Sequence, residues 1–299
     1  YIIIAIISFI PLIRLLIKKK PHFFVTHLLT SVPFIIFYFS KFNTKLILRI
    51  SGYPKLTFLR KFIWKLCAKN IFKVISPSKE LLKQLSDGNF FSKEQMIFVP
   101  DPIISIREYI KKKKKFRDDS KNFHKKNFFI SAGRLTKQKN FTYLIKEFKK
   151  FSDTNSNFDL LIFGIGEKYE ELYSLINRLQ LSERVFLKGY NENIFEYMRK
   201  SDAFILSSLW EDPGFVIIEA AFNNSFVISS NCKNGPLEFL QNGKAGILFE
   251  NNKDNALFEA LTNYVNHEVD LKQKKISAKK NCLKYSLFRH HEVIKNVFF

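Results

Sequence analysis

The sequence predicts an α/β fold built on parallel sheets, and three observations carry that prediction. Short apolar runs, among them HFFVTH (22–27), NFFISAG (127–133) and AFILSS (203–208), alternate with amphipathic helical stretches. Many of these runs close on Ser, Gly or Pro, the turn residues of strand-to-helix loops. A charged block at 104–126 carries neither pattern and separates the alternation into two series, hence two domains.

A chain of 299 residues can bury two separate cores, and 46% hydrophobic content sets it apart from disordered sequences. Three cysteines, Cys67, Cys232 and Cys282, show no paired spacing and no accompanying histidine pattern. That argues against a disulfide framework or zinc site and for a reducing compartment. The formal charge of +22 is uneven. Residues 1–126 hold 26 Lys or Arg against 7 Asp or Glu, and residues 127–299 hold 23 against 20. A basic half suits a polyanionic partner, either nucleic acid or an anionic membrane leaflet. No zinc-finger, RNP or helix-turn-helix signature supports nucleic acid.

In chain order, residues 1–17 are strongly apolar, but Pro11 and Arg14 interrupt them and a membrane span needs about 20 apolar residues. No basic region precedes them and no small-residue cleavage site follows, so a signal peptide does not fit. A buried or interfacial helix ending at Lys18–Lys20 is expected. HFFVTH then reads as a strand ending at His27, 28–40 as a helix, and KLILRIS (45–51) as a strand ending at Ser51–Gly52. A helix over 58–70, strand KVISPS (73–78), helix 78–86 and strand MIFVPDP (96–102) complete a first domain at 1–103. His27 falls at a strand end, where open sheets form sites. Arg49, Ser51 and Gly52 end the next strand and are candidates to line the same cleft. Residues 104–126, with five consecutive lysines, read as a linker; membrane binding by those lysines is the alternative.

The second domain is expected at 127–270, with a basic helical tail at 271–299. Its first strand runs into AGRLTKQKN (132–140) and a helix with Phe141, Leu144, Ile145 and Phe148 on one face. Strand DLLIFG (159–164) leads to the turn Gly164-Ile165-Gly166. The third glycine of a dinucleotide fingerprint is replaced by Tyr169, so NAD is not expected. A helix at 168–179, strand VFLKGY (185–190) and a helix at 191–201 precede AFILSS. Glu211 then lies in the turn LWEDPGF (209–215), and Glu219 two helical turns into the helix that starts near Phe215. Strand FVISS (226–230), the segment NGPLE (234–238), strand AGILF (245–249) and a helix at 254–265 follow.

Two carboxylates eight positions apart, followed by Ala220 in a strand–turn–helix, resemble the donor-site signature of GT4-type retaining glycosyltransferases of the GT-B fold. Arg134 and Lys139, five apart after the first strand of the second domain, resemble that family's pair of cations for a nucleotide diphosphate. The likeness is good over 127–265 and looser over 20–103. It implies two Rossmann-like domains with parallel sheets facing a cleft, the first incomplete at its N-terminus. A full member would place several strands and a glycine-rich loop before the first helix.

The resemblance also implies roles. Arg134 and Lys139 would neutralise the departing diphosphate, the Arg bidentately and the Lys as a point charge. Glu219 would accept from ribose hydroxyls, and Glu211 would hold donor-sugar hydroxyls at the reacting carbon. Gly214 and Phe215 would offer backbone N–H groups at a helix N-terminus, while Gly164 and Tyr190 would lie near the base. The family turn is usually Glu-Gly-Phe-Gly; here Pro213 removes one donor. His27 would face the cleft from the acceptor domain, making Glu211 and His27 the catalytic candidates.

The implied reaction moves a sugar from a UDP- or GDP-sugar to a glycan or lipid-linked acceptor hydroxyl with retention. Neither metal nor cofactor is expected. The implied setting is the inner face of the cytoplasmic membrane, in polysaccharide or lipopolysaccharide synthesis, with peripheral contact to anionic lipid. The competing readings are a fragment that only binds nucleotide-sugar, an epimerase of the same fold, and a basic nucleic-acid-binding protein.

Overall fold

The computed structural model describes residues 2–27, 30–54, 56–115, 127–266 and 270–298. It divides into two compact units, Tyr1–Pro100 with His291–Phe299, and Asp101–His290.

The first unit contains α1 (Ile2–Lys19), β1 (Phe23–Thr26), α2 (Ser31–Phe39), β2 (Lys45–Arg49), α3 (Phe58–Cys67), β3 (Ile71–Ser76), α4 (Lys79–Asp87) and β4 (Met96–Phe98). Its four strands are all parallel, in the order β1-β2-β3-β4. The centre of β2, Leu46, Ile47 and Leu48, is apolar and buried on both sides because both faces of a parallel sheet are covered. Leu46 and Leu48 join Phe34, Trp64 and Leu81 on one face, whereas Ile47 joins Ile75 and Val99 on the other. That second face is closed by the last turns of the terminal helix, where Val297 is buried and the Phe298 ring meets Phe23 edge-on at 4.8 Å.

Helix α1 runs straight through Pro11. A proline removes one backbone N–H donor, but the neighbouring turns keep theirs and the helix continues. Among the side chains described in the expected buried or interfacial helix, Leu16 alone is fully buried, while Ile3, Ile6 and Ile7 remain exposed. No described helix is long and apolar enough to cross a membrane.

The second unit holds α5 (Ile106–Lys115), β5 (Asn127–Ala132), α6 (Phe141–Thr154), β6 (Phe158–Phe163), α7 (Tyr169–Arg178), β7 (Val185–Gly189), α8 (Ile194–Lys200), β8 (Ala203–Leu206) and α9 (Phe215–Phe222). Then come β9 (Phe226–Ser230), α10 (Pro236–Phe239), β10 (Ile247–Phe249), α11 (Ala256–Val265) and α12 (Leu271–Cys282). Helix α13 (Leu287–Phe298) starts in this unit and ends in the first. The six strands are parallel, in the order β10-β9-β8-β5-β6-β7. Side chains of β5 alternate between two cores. Phe129 packs with Phe148, Phe151 and Leu160, and Phe128 and Ile130 pack with Phe204, Ile217 and Phe239.

The expected linker at 104–126 needs correction over its first half, because Ile106–Lys115 is helical. The Ser105 hydroxyl accepts from the Glu108 N–H at 3.3 Å, an N-cap, and the Tyr109 ring sits edge-on to Phe222 of α9 at 5.0 Å. A cap and a ring contact favour the helix despite the run of lysines in its sequence. Residues 116–126 lie outside the described residues.

Candidate active site

The chain lays β5, β6 and β7 outward in one direction and then returns to lay β8, β9 and β10 in the other. β5 and β8 are therefore neighbours at the point where the strand order reverses, and it is outside the carboxyl ends of strands at such a point that open α/β sheets bind ligands. Arg134 and Lys139 follow β5, and Ser207, Ser208 and Glu211 follow β8, so both predicted charge sets fall at this switch point.

At its centre the Lys139 ammonium donates to Glu211 Oε1 at 2.5 Å, and the Ser208 hydroxyl donates to the same oxygen at 2.5 Å. Lys139 is 14% and Glu211 5% exposed, so the pair is largely withdrawn from water. The loops are stitched together by one backbone and two side-chain-to-backbone hydrogen bonds. Leu209 N–H donates to Gln138 O at 2.8 Å, Gln138 Nε2 to Trp210 O at 2.9 Å, and Ser207 Oγ to Lys139 O at 2.9 Å. Ser230, at the end of β9, donates to Ser208 O at 2.7 Å and fixes the floor.

Gly214 precedes α9 at φ +78°, a left-handed conformation that favours glycine. It packs against the Glu211 side chain, where a Cβ would lie 3.2 Å from Glu211 Cγ. Phe215 begins that helix, and Glu219 sits one turn further along it rather than the expected two, half-exposed. Desolvation, then the Glu211 charge, raises the Asp212 carboxyl above the ordinary carboxylate range, against a hydrogen bond from Asn234. Burial pushes the Cys232 thiol up to about 11, so it stays protonated at neutral pH and is not a nucleophile there.

The ends of β5, β6 and β7 are also bound to one another. Gly133 N–H donates to Phe163 O at 3.0 Å, Leu135 N–H to Ile165 O at 2.9 Å, and Gly164 N–H to Gly189 O at 2.8 Å. A Cβ on Gly164 would stand 1.8 Å from Gly133 O, so only glycine allows this approach. Tyr190 projects from the end of β7, 76% exposed. Arg134 is exposed at the end of β5.

In the first unit, the parallel pairing of β1 and β2 brings three more candidates together. His27 Nε2 is 3.4 Å from Ser51 Oγ and 3.5 Å from the Arg49 guanidinium. Arg can only donate, so the Arg49 contact is a hydrogen bond when Nε2 is the acceptor. Gly52 follows in the same turn, half-buried. His27 and Glu211 belong to different units.

Sequence reasoning missed Ser208, Ser230 and Gln138. The two serines end the apolar runs of β8 and β9, and that strand-end position is the signal that could have found them. Gln138 carries none, being one polar residue in a loop.

The fold and the site together define the class, a GT-B-type architecture of two parallel α/β units with a charged crevice at the switch point of the second. The glycosyl transferases group 1 model matches residues 112–281, more than half of the chain, and the chain belongs to that family. An uncharacterized glycosyltransferase of Methanocaldococcus jannaschii is 43% identical over 121 residues, 40% of this chain and 30% of that protein. The N-acetylgalactosamine-N,N'-diacetylbacillosaminyl-diphospho-undecaprenol 4-alpha-N-acetylgalactosaminyltransferase of Campylobacter jejuni is 33% identical over 137 residues, 46% of this chain and 37% of the relative. The match thus spans about a third of the length of these relatives. Among solved structures, a glycosyltransferase from Rickettsia africae superimposes with a TM-score of 0.79 at 17% identity, covering 99% of this chain and 81% of the other. The Anabaena HepE protein, solved in complex with UDP, gives 0.76 at 16% identity over 96% and 81%. These likenesses establish the fold.

Proposed function

We propose that this chain transfers a glycosyl group from a UDP- or GDP-sugar to a hydroxyl of a glycan or lipid-linked acceptor, with retained anomeric configuration. The observation that carries the reading is the buried Lys139–Glu211–Ser208 cluster at the β5/β8 switch point, beside the start of α9. A nucleotide diphosphate entering there meets Lys139, the exposed Arg134 and the first N–H groups of α9. Lys139 then exchanges Glu211 for phosphate oxygen, which frees the carboxylate for donor-sugar hydroxyls while Ser208 holds it in place. Negative charge that builds on the leaving phosphate is met by fixed cations and dipoles in a partly dehydrated crevice. The leaving oxygen takes the acceptor proton, so this scheme needs neither resident metal nor cofactor. Glu219 holds the ribose, Tyr190 and Gly164 flank the base, and His27 orients the acceptor.

The UDP bound to HepE supports a nucleotide donor, and the diphospho-undecaprenol in the Campylobacter relative's name supports a lipid-linked acceptor. Surface-glycan synthesis at the inner face of the cytoplasmic membrane, held there by the basic first unit, fits both.

Calorimetric titration of the full chain with UDP, GDP, ADP and NAD tests the donor site. We expect UDP or GDP to bind preferentially, and Arg134→Ala to weaken it about tenfold or more, the loss of one charge-assisted contact. Equal binding of all four, or no effect of the substitution, would refute the assignment.

A further inference from the structure

Helix α3 is anchored on one side and bare on the other. Thr57 caps it by accepting from the Arg60 N–H at 3.3 Å. Trp64 is fully buried, its indole N–H donating to Thr30 Oγ1 at 3.3 Å and its ring packed on Phe34 at 5.8 Å and Phe91 at 5.5 Å. On the opposite side Phe58, Phe62 and Leu66 recur every fourth position and share one face. With Leu59 they form an apolar arc, 88%, 58%, 41% and, for Leu59, 66% exposed. Lys61 and Lys65 flank the arc at the same spacing.

A helix packed in a water-soluble unit turns its apolar stripe inward and its charges outward. Here a second stripe faces water, and a contiguous exposed apolar face marks a contact surface. Charge decides the partner. Residues 1–79 contain fourteen Lys or Arg and no Asp or Glu, the first carboxylate of the chain being Glu80. A second copy of the chain would set these cations against themselves. A nucleic acid would answer the charge but leave the aromatic arc against a hydrated sugar–phosphate ribbon. An anionic bilayer answers both, with headgroup phosphates for the lysines and acyl chains for the arc. Ten helical residues reach about 15 Å, half the hydrocarbon thickness, so the helix lies along the surface and does not span it.

We propose that α3 is a membrane-docking helix of the first unit. It lies in the interface of an anionic leaflet, with Phe58, Phe62 and Leu66 among the acyl chains and Lys61 and Lys65 at the headgroups. The membrane contact proposed above thereby gains a definite surface. Because α3 belongs to the first unit, nucleotide binding by the second unit and vesicle binding by α3 succeed or fail separately.

The test is flotation of the full chain with vesicles of phosphatidylcholine alone or mixed with phosphatidylglycerol. The chain should float with the mixed vesicles only, less so as salt rises. Phe58→Ser with Phe62→Ser should lower binding at least about tenfold, and Lys61→Gln with Lys65→Gln several-fold. Both double variants should keep the native circular dichroism, since these side chains are exposed. Phe58→Trp should add a blue-shifted emission component on mixed vesicles, quenched by brominated lipid. Equal binding to both vesicle types, unchanged binding of the Phe58/Phe62 double variant, or no blue-shifted component from the Phe58→Trp variant would overturn the proposal. So would retention on RNA without flotation, or a dimer dissolved by the Phe substitutions.

Discussion

Glu211 has been almost removed from water by folding, and its charge is answered by the Lys139 ammonium and the Ser208 hydroxyl. A buried ion pair adds little net stability, because desolvation of both groups offsets their attraction. Removing one partner is different. Lys139→Ala leaves the carboxylate buried with Ser208 as its one side-chain donor among the described residues, and should destabilise the second unit by about 3 kcal/mol. Lys139→Ala combined with Glu211→Gln removes the charge as well and should recover most of that loss, as urea unfolding of the four members of the cycle would show. A fully additive cycle would mean that the pair is not coupled. Glu211 and Lys139 were legible in the sequence because their spacing to strand ends matches a known pattern. Their mutual contact was not legible, since Lys139 was expected to face a diphosphate and here faces Glu211. Ser208 escaped notice because a serine after an apolar strand is also an ordinary turn residue.

At the scale of elements, the site is positioned by close approach of loops, and glycines set the distances. Gly235 lets the loop after β9 pass the turn of Pro213, where a Cβ would lie 1.9 Å from the Pro213 carbonyl oxygen. Its φ of 176° is ordinary extended backbone, so the constraint is steric. Gly235→Ala should therefore cost about 1–3 kcal/mol as overpacking and displace the Glu211 turn. Urea unfolding and nucleotide titration should both register the change; unchanged stability would show that the loop moves aside freely. The strands were readable from short apolar runs, and their observed bounds fall within a few residues of the expected ones. Helix α5 was not, because its lysines carry no periodicity and its cap and its Tyr109 contact are tertiary facts. The extent of α1 was readable, since it ends at Lys19, within the expected Lys18–Lys20, with Pro11 inside it.

For the whole molecule, parallel α/β alternation was legible but strand order was not. Nothing in the runs says that β8 returns to lie beside β5, and that adjacency alone brings residues 134–139 to residues 207–211. Charge asymmetry was legible as a number, while its pairing with the bare face of α3 needed the structure. The central claim is that the crevice at the β5/β8 switch point is a nucleotide-sugar donor site. Hydrogen exchange of the full chain, with and without whichever of UDP or GDP binds more tightly, tests it most directly. Protection should concentrate in peptides covering 133–140, 164–166, 189–190 and 207–219, with little change in 1–100. Protection elsewhere, or none at saturating nucleotide, would contradict the account.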